Sequence, residues 1–238
     1  MNHDQSEKKV KLTKAGIFAV IAPFRWMILS AIAFFSAAGS IRVTRFWIYL
    51  GIVFICTIIS TVIAVKFTPE LMNQRGKRNP GTKKWDLFLV IPFILILIVI
   101  VPLIAGFDLV RFQWTYLGYP YLIAGLCLYV VSFFIIQWSM IVNKHFERFV
   151  RIQNDRDHKV ITSGPYKIIR HPGYTGMVLT SISMPLLLGS IYAFIPVCIS
   201  LILLLIRTYK EDETLQAELE GYSEYVQMTK YRLIPFVW

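Results

Sequence analysis

Leu87–Gly106 reads LFLVIPFILILIVIVPLIAG, twenty residues without one ionisable side chain, interrupted only by Pro92 and Pro102. As a helix rising ~1.5 Å per residue it would span about 30 Å, the thickness of a bilayer's hydrocarbon core. A surface helix of a soluble domain would need a polar face, and this stretch has none. Comparable apolar segments lie at about 17–40, 46–65, 116–142, 175–189 and 191–208. The composition agrees: 56% of the chain is hydrophobic and 16% charged, outside the range of ordinary soluble domains. The reading is an all-α, polytopic membrane helical bundle of about six spans. The last two are separated only by Gly189-Ser190 and form a helical hairpin.

The segments are not equivalent. Pro23 and Arg25 weaken the first, which reads as an interfacial piece followed by a short span. The fifth is short for a full crossing, for which about 20 residues are needed. The polar start Met1–Lys14 precedes a span rather than a cleavable signal peptide. The chain divides into a tail at 1–16, four membrane helices over 17–142, and a region over 143–238 that carries the chemistry.

The net charge of +11 is distributed unevenly. Of the 25 Lys and Arg residues, twenty-one fall in the tail and the even-numbered connections. Arg42, Arg45 and Arg111 fall on the other side, and Arg25 lies within the first apolar segment. Basic residues collect on the cytoplasmic side of membranes, so both termini and the loop at 143–176 are expected there. This explains the charge through lipid and excludes a nucleic-acid partner. Cys56, Cys127 and Cys198 sit in apolar runs with no paired Cys or His spacing, so neither a disulfide framework nor a metal site is expected.

Three polar segments share the basic side: Glu70–Asp86, Asn143–Gly176 and Arg207–Trp238. The second contains Gly164-Pro165-Tyr166-Lys167-Ile168-Ile169-Arg170-His171-Pro172-Gly173-Tyr174-Thr175-Gly176. Its prolines stiffen two turns, and Gly173 and Gly176 would let the backbone approach a ligand. The free N–H groups at the start of the next helix would suit an anion. In the third segment, Arg207 and Glu211 stand one helical turn apart. Leu215, Leu219, Tyr222 and Val226 then form an apolar stripe, and the last residues read as a strap with aromatic anchors.

Arg170-His171-Pro172-x-Tyr174-x-Gly176 resembles a motif of the isoprenylcysteine carboxyl methyltransferase family, grouped with the membrane phospholipid methyltransferases. So does Arg207-x-x-x-Glu211-Asp212-x-x-Leu215 followed by Tyr222-x-x-Tyr225. Asn143-x-x-Phe146, Arg151-x-Gln153, Arg156-x-His158, Gly164-Pro165-Tyr166, Glu70-Leu71, Arg75-Gly76 and Lys84-Trp85-Asp86 are similar to the family's bacterial branch, which implies the inner (plasma) membrane. The resemblance covers residue 66 onward. It implies S-adenosyl-L-methionine as cofactor, held in a cytoplasmic pocket that a C-terminal amphipathic helix closes. A lipophilic or small-molecule acceptor would arrive from the bilayer. Gly164, Tyr166, His171, Pro172, Tyr174, Glu211 and Asp212 would bind the cofactor. Arg170 and Arg207 would orient the acceptor or balance buried carboxylates. The family often carries Glu where this chain has Asp212. Two other functions compete: a membrane reductase using NADPH, for which no glycine-rich dinucleotide fingerprint exists, and a transporter or scaffold. A transporter would place ionisable residues inside the spans, and apart from Arg25 there are almost none.

Overall fold

The computed structural model describes residues 10–77 and 79–238. Lys8, Lys9 and Arg78, which enter the charge reading, lie outside the described residues. Among those described there are helices and no strands. The α-helices are α1 (Lys14–Ala38), α2 (Thr44–Phe67), α3 (Pro69–Arg75), α4 (Lys84–Leu95), α5 (Val101–Gly106), α6 (Tyr119–Val142), α7 (Pro172–Leu188), α8 (Phe194–Glu218) and α9 (Tyr222–Met228). Each apolar segment read from the sequence is helical.

The helix α1 starts where Thr13 accepts a hydrogen bond from the Gly16 N–H, and it continues through Pro23 without the expected break. The α4 and α5 helices form one rod, Lys84–Arg111, with π-helical turns at Ile96–Ile100 and Phe107–Arg111. Pro102 has no N–H for the carbonyl one turn before it, and the preceding turn widens into the π register. Among the described residues, four helices are long and apolar enough to cross a membrane: α1, α2, the Lys84–Arg111 rod and α6. Their outward faces expose Phe18, Ile32, Ile55, Phe88, Ile123 and Phe134. So large an apolar surface is stable in lipid rather than in water, and the molecule is an integral membrane protein.

The α7 helix lies along α6. A Cβ on Gly125 would fall 2.8 Å from the Leu187 nitrogen, so only glycine permits this approach. Ser132 donates to the Gly176 carbonyl at 2.7 Å across the same seam. Gly176 therefore serves helix packing, not ligand approach as its sequence context suggested; its Cβ would lie 2.5 Å from the Ile136 side chain. A core of Phe34, Phe46, Tyr49, Leu50, Val101, Leu187 and Val197 joins α1, α2, α5, α7 and α8.

The two ends of the bundle differ. At the end poor in basic residues, Arg45 donates to the Leu186 and Leu187 carbonyls at 2.7 and 2.8 Å, where α7 stops. Arg111 donates to the Ala37 carbonyl at 2.9 Å, where α1 stops. Buried Asp108 accepts from the Thr115 N–H at 2.9 Å and from the Ser190 hydroxyl, tying two connections together. At the other end, the three polar segments meet as expected. Arg156 pairs with Glu70 at 3.3 Å, the Lys83 N–H bonds the Val150 carbonyl at 2.9 Å, and Lys83 pairs with Glu218 at 2.7 Å.

Candidate functional site

The centre of the polar end is Asp212, fully buried on α8. One carboxylate oxygen accepts from Arg170 Nε at 2.9 Å, the Tyr222 hydroxyl at 2.9 Å and His171 Nε2 at 3.2 Å. The other accepts from Arg170 Nη2 at 2.9 Å, Arg232 Nε at 2.8 Å and Gln216 at 3.1 Å. Burial raises its pKa, but the bonds from His171, Arg170 and Arg232 prevail and hold the carboxyl far below the usual range. Two arginines, an imidazole and a tyrosine are thus fixed by one ionised group.

Arg170 also donates to the Thr229 and Lys230 carbonyls at 2.9 and 2.8 Å. Backbone bonds from the Arg170 and His171 N–H groups to the Tyr231 and Arg232 carbonyls, each 2.9 Å, continue the seam. Thr175 closes it by donating to the Leu233 carbonyl at 2.7 Å. The last residues are therefore strapped across the mouth of α7, with Leu233 buried beneath.

Beside this cluster lies a cavity of about 450 Å³, within the usual range for small-molecule sites. One part is walled by Tyr166, His171, Glu211, Leu215, Leu219, Tyr222 and Tyr225. Tyr174 also lines it and donates its hydroxyl proton to Glu211 in a short hydrogen bond. The apolar stripe of the C-terminal segment is split between α8 and α9. Gly221, at φ 78°, makes the turn between them, and Leu219, Tyr222 and Tyr225 pack on Tyr166 as well as facing the cavity. Burial pushes the Tyr225 hydroxyl up to about 12, so it stays protonated and neutral. A second part of the cavity is apolar and reaches into the bundle, past Met27 of α1, Leu50 and Val53 of α2, Leu97 of the rod and Met184 of α7.

Of the sequence-predicted residues, Tyr166, Arg170, His171, Tyr174, Arg207 and Glu211 line this cavity together. Gly164, Pro172 and Asp212 are not on its wall. Gly164, at φ 58°, packs against Trp138 and Val142; Pro172 opens α7; Asp212 lies behind and holds its neighbours. Arg207 and Glu211 do not pair as the one-turn spacing allowed. Arg207 instead bonds buried Asp86 through Nε at 2.6 Å and lies 5.0 Å over the Tyr174 ring.

Asp86, Arg75, Arg148 and the pair His145 and His158 were not singled out as site residues from the sequence. Asp86 stands 121 positions from its partner, a separation that leaves no local pattern. Arg75 and Arg148 read as ordinary basic loop residues, yet both line the cavity. His145 hydrogen-bonds Gln153 at 3.1 Å, and its ring lies 4.4 Å from that of His158, tilted 40° to it. Gln153 also accepts from Arg156 at 2.9 Å, which fixes its oxygen toward His145 and places the hydrogen on His145 Nδ1. Burial and the neighbouring His145 press the His158 pKa down to about 4.

Residues 124–217, which supply most of these walls, match the model of the isoprenylcysteine carboxyl methyltransferase (ICMT) family. Two rice proteins, from Oryza sativa subsp. indica and subsp. japonica, are each 29% identical to this chain over 65 residues, and each is named "Probable protein-S-isoprenylcysteine O-methyltransferase". The matched stretch is 27% of this chain and spans about a third, 34%, of the rice proteins' length. The site-bearing region, residues 124–217, is thus similar to the ICMT family and is set in a membrane helical bundle.

Proposed function

We propose that the protein is a membrane methyltransferase that uses S-adenosyl-L-methionine and methylates a lipophilic acceptor. The observation that carries this is a single cavity with a polar wall on the ICMT-family region and an apolar wall within the membrane bundle. When bound, S-adenosylmethionine supplies a sulfonium methyl group that is already activated toward displacement. The protein's task is then alignment and exclusion of water.

The residues present fit that task. Glu211, on the cavity wall, offers carboxylate oxygens to the donor's hydroxyl or amino groups. The faces of Tyr166, Tyr174 and Tyr222 favour a cation. Asp212 holds His171 through Nε2, so the imidazole is a positioned wall and not a freely turning base. Arg170 keeps the strap over the site. The apolar part takes the acceptor's hydrocarbon. By the positive-inside rule the polar end faces the cytoplasm, where the donor is available.

The test uses the full chain in neutral detergent. Isothermal titration should detect S-adenosylmethionine binding, and His171→Ala or Glu211→Ala should weaken it about 10-fold or more while the protein stays folded, a loss of ~1.4 kcal/mol. No binding to folded wild type, or thermal stabilisation by NADPH instead, would refute the assignment. Transfer of labelled methyl into a lipid extract then identifies the product.

A further inference from the structure

The part of the cavity that reaches into the bundle is lined mostly by hydrocarbon, yet three hydroxyl-bearing residues share its wall: Ser30 of α1, Tyr49 of α2 and Tyr129 of α6. Ser30 and Tyr49 are buried, at 5% and 6% exposure. Other serines of these helices turn back on their own backbone. Ser139 donates to the Ile135 carbonyl at 2.7 Å, Ser181 to the Met177 carbonyl at 2.8 Å and Ser200 to the Val197 carbonyl at 2.8 Å. Thr180, also on the cavity wall, is bonded to Ser132. Ser30 differs. Its hydroxyl is buried and, among the described residues, has no hydrogen-bond partner. The Tyr49 hydroxyl stands beside it but outside hydrogen-bond geometry, and Tyr129 brings a third hydroxyl toward that of Tyr49.

A hydroxyl at hydrocarbon depth costs free energy until something bonds it, and a lipid chain offers neither donor nor acceptor. Small rotations could link Ser30, Tyr49 and Tyr129 to one another. A linear chain of three hydroxyls, however, has three O–H donors and only two links to use them. One O–H is always left for a partner outside the chain, and an oxygen lone pair answers it where a methyl group does not. The position of the cluster fixes the reach such a partner needs. Tyr174 belongs to the polar wall, and Met184, packed in one core with Tyr49, lies about 15 Å further along α7.

We propose that Ser30, Tyr49 and Tyr129 form a second polar subsite at the membrane-buried end of the cavity. It hydrogen-bonds an oxygen function, a hydroxyl or a carbonyl, carried by the ligand about 15 Å from the end that meets the polar wall. The occupant is therefore a bipolar long-chain molecule, with oxygen at its far end, rather than one that ends in plain hydrocarbon. The three residues are specificity residues: they read the far end and take no part in the transfer. This rests on the methyltransferase reading for what happens at the near end, but not for binding at the far one.

Binding of three alcohols to the full chain in maltoside micelles tests it, compared at equal mole fraction in the micelle: dodecan-1-ol, dodecane-1,12-diol and dodecane-1,6-diol. The 1,12-diol should bind about 5-fold more tightly than dodecan-1-ol, the yield of one net hydrogen bond. The 1,6-diol, whose second oxygen falls short, should show no such margin. Tyr49→Phe should abolish the margin while dodecan-1-ol affinity stays within twofold, and Ser30→Ala and Tyr129→Phe should reduce it. Without ligand, Ser30→Ala should raise the thermal midpoint and Tyr49→Phe should not lower it, since each removes a hydroxyl that the protein leaves unanswered. Hydroxyls kept for structure would lower it in both. Equal binding of the 1,12-diol and dodecan-1-ol, as water on the hydroxyls would give, an equal gain by the 1,6-diol, or an undiminished margin in Tyr49→Phe would each overturn the proposal. Should the variants not fold, the wild-type ranking of the three alcohols decides alone. Failure of wild type to bind S-adenosylmethionine, with the diol margin intact, would remove the methyltransferase reading and leave this subsite standing.

Discussion

Asp212 shows how one residue sets the state of several others. Its carboxylate accepts from Arg170, Arg232, His171, Tyr222 and Gln216, and no solvent reaches it. Removing it would leave two guanidiniums without their counter-ion, and breaking a buried pair costs about 3–5 kcal/mol. Asp212→Ala should therefore lower the thermal midpoint strongly in detergent and release the residues after 229 to proteolysis; an unchanged midpoint and cleavage pattern would contradict this role. His158 gives a pH dependence. Its folded pKa, about 4, lies below the ordinary 6.5, so the unfolded chain binds the proton first. Its contribution favours folding above pH 6.5 and is lost as pH falls from there toward 4. His158→Gln should flatten the decline in thermal midpoint between pH 7 and pH 5, and a decline of unchanged slope would count against it.

At the scale of elements, α6 and α7 meet through small residues, and the contact shapes the site because α7 begins at the Arg170–Pro172 turn. Gly125→Leu would place side-chain atoms where the Leu187 backbone now lies. It should destabilise the bundle by about 1–3 kcal/mol or more, as overpacking does, read as earlier unfolding in detergent; a neutral result would show that the seam can open. The elements were largely legible in the sequence because apolar length and flanking charge are local properties. The hairpin of α7 and α8 was legible from Gly189-Ser190, and the strap from the aromatics of the last residues. The unbroken α1 was not, because Pro23 costs little in a membrane helix whose neighbours satisfy the backbone. The split of the C-terminal stripe at Gly221 was missed because Leu215, Leu219 and Tyr222 keep helical spacing across the turn.

For the whole molecule, sequence motifs located the cavity but not its charge balance. Tyr166, His171, Tyr174 and Glu211, which the family resemblance singled out, all line that cavity. The partners of Arg207 and Arg170 depend on which distant helices meet, and no window of sequence records that. The architecture makes one prediction of orientation. A fluorescent protein fused after Trp238 should fold and fluoresce in the cytoplasm, whereas alkaline phosphatase fused there should be inactive; the opposite pair of results would invert the arrangement.

Arg45 and Arg111 have a further consequence for biogenesis. Were the basic end cytoplasmic, as proposed, these two charges would have to be carried across the bilayer while the chain is threaded, against the direction that membrane insertion favours. In the finished protein they are no longer loose cations, since each is docked on carbonyls at the end of a helix. Translocating them would then supply two clasps that form only after α7 and α1 have reached their final depth. A chain inserted upside down would leave both clasps unmade, so correct topology and correct packing would be proofread by the same side chains.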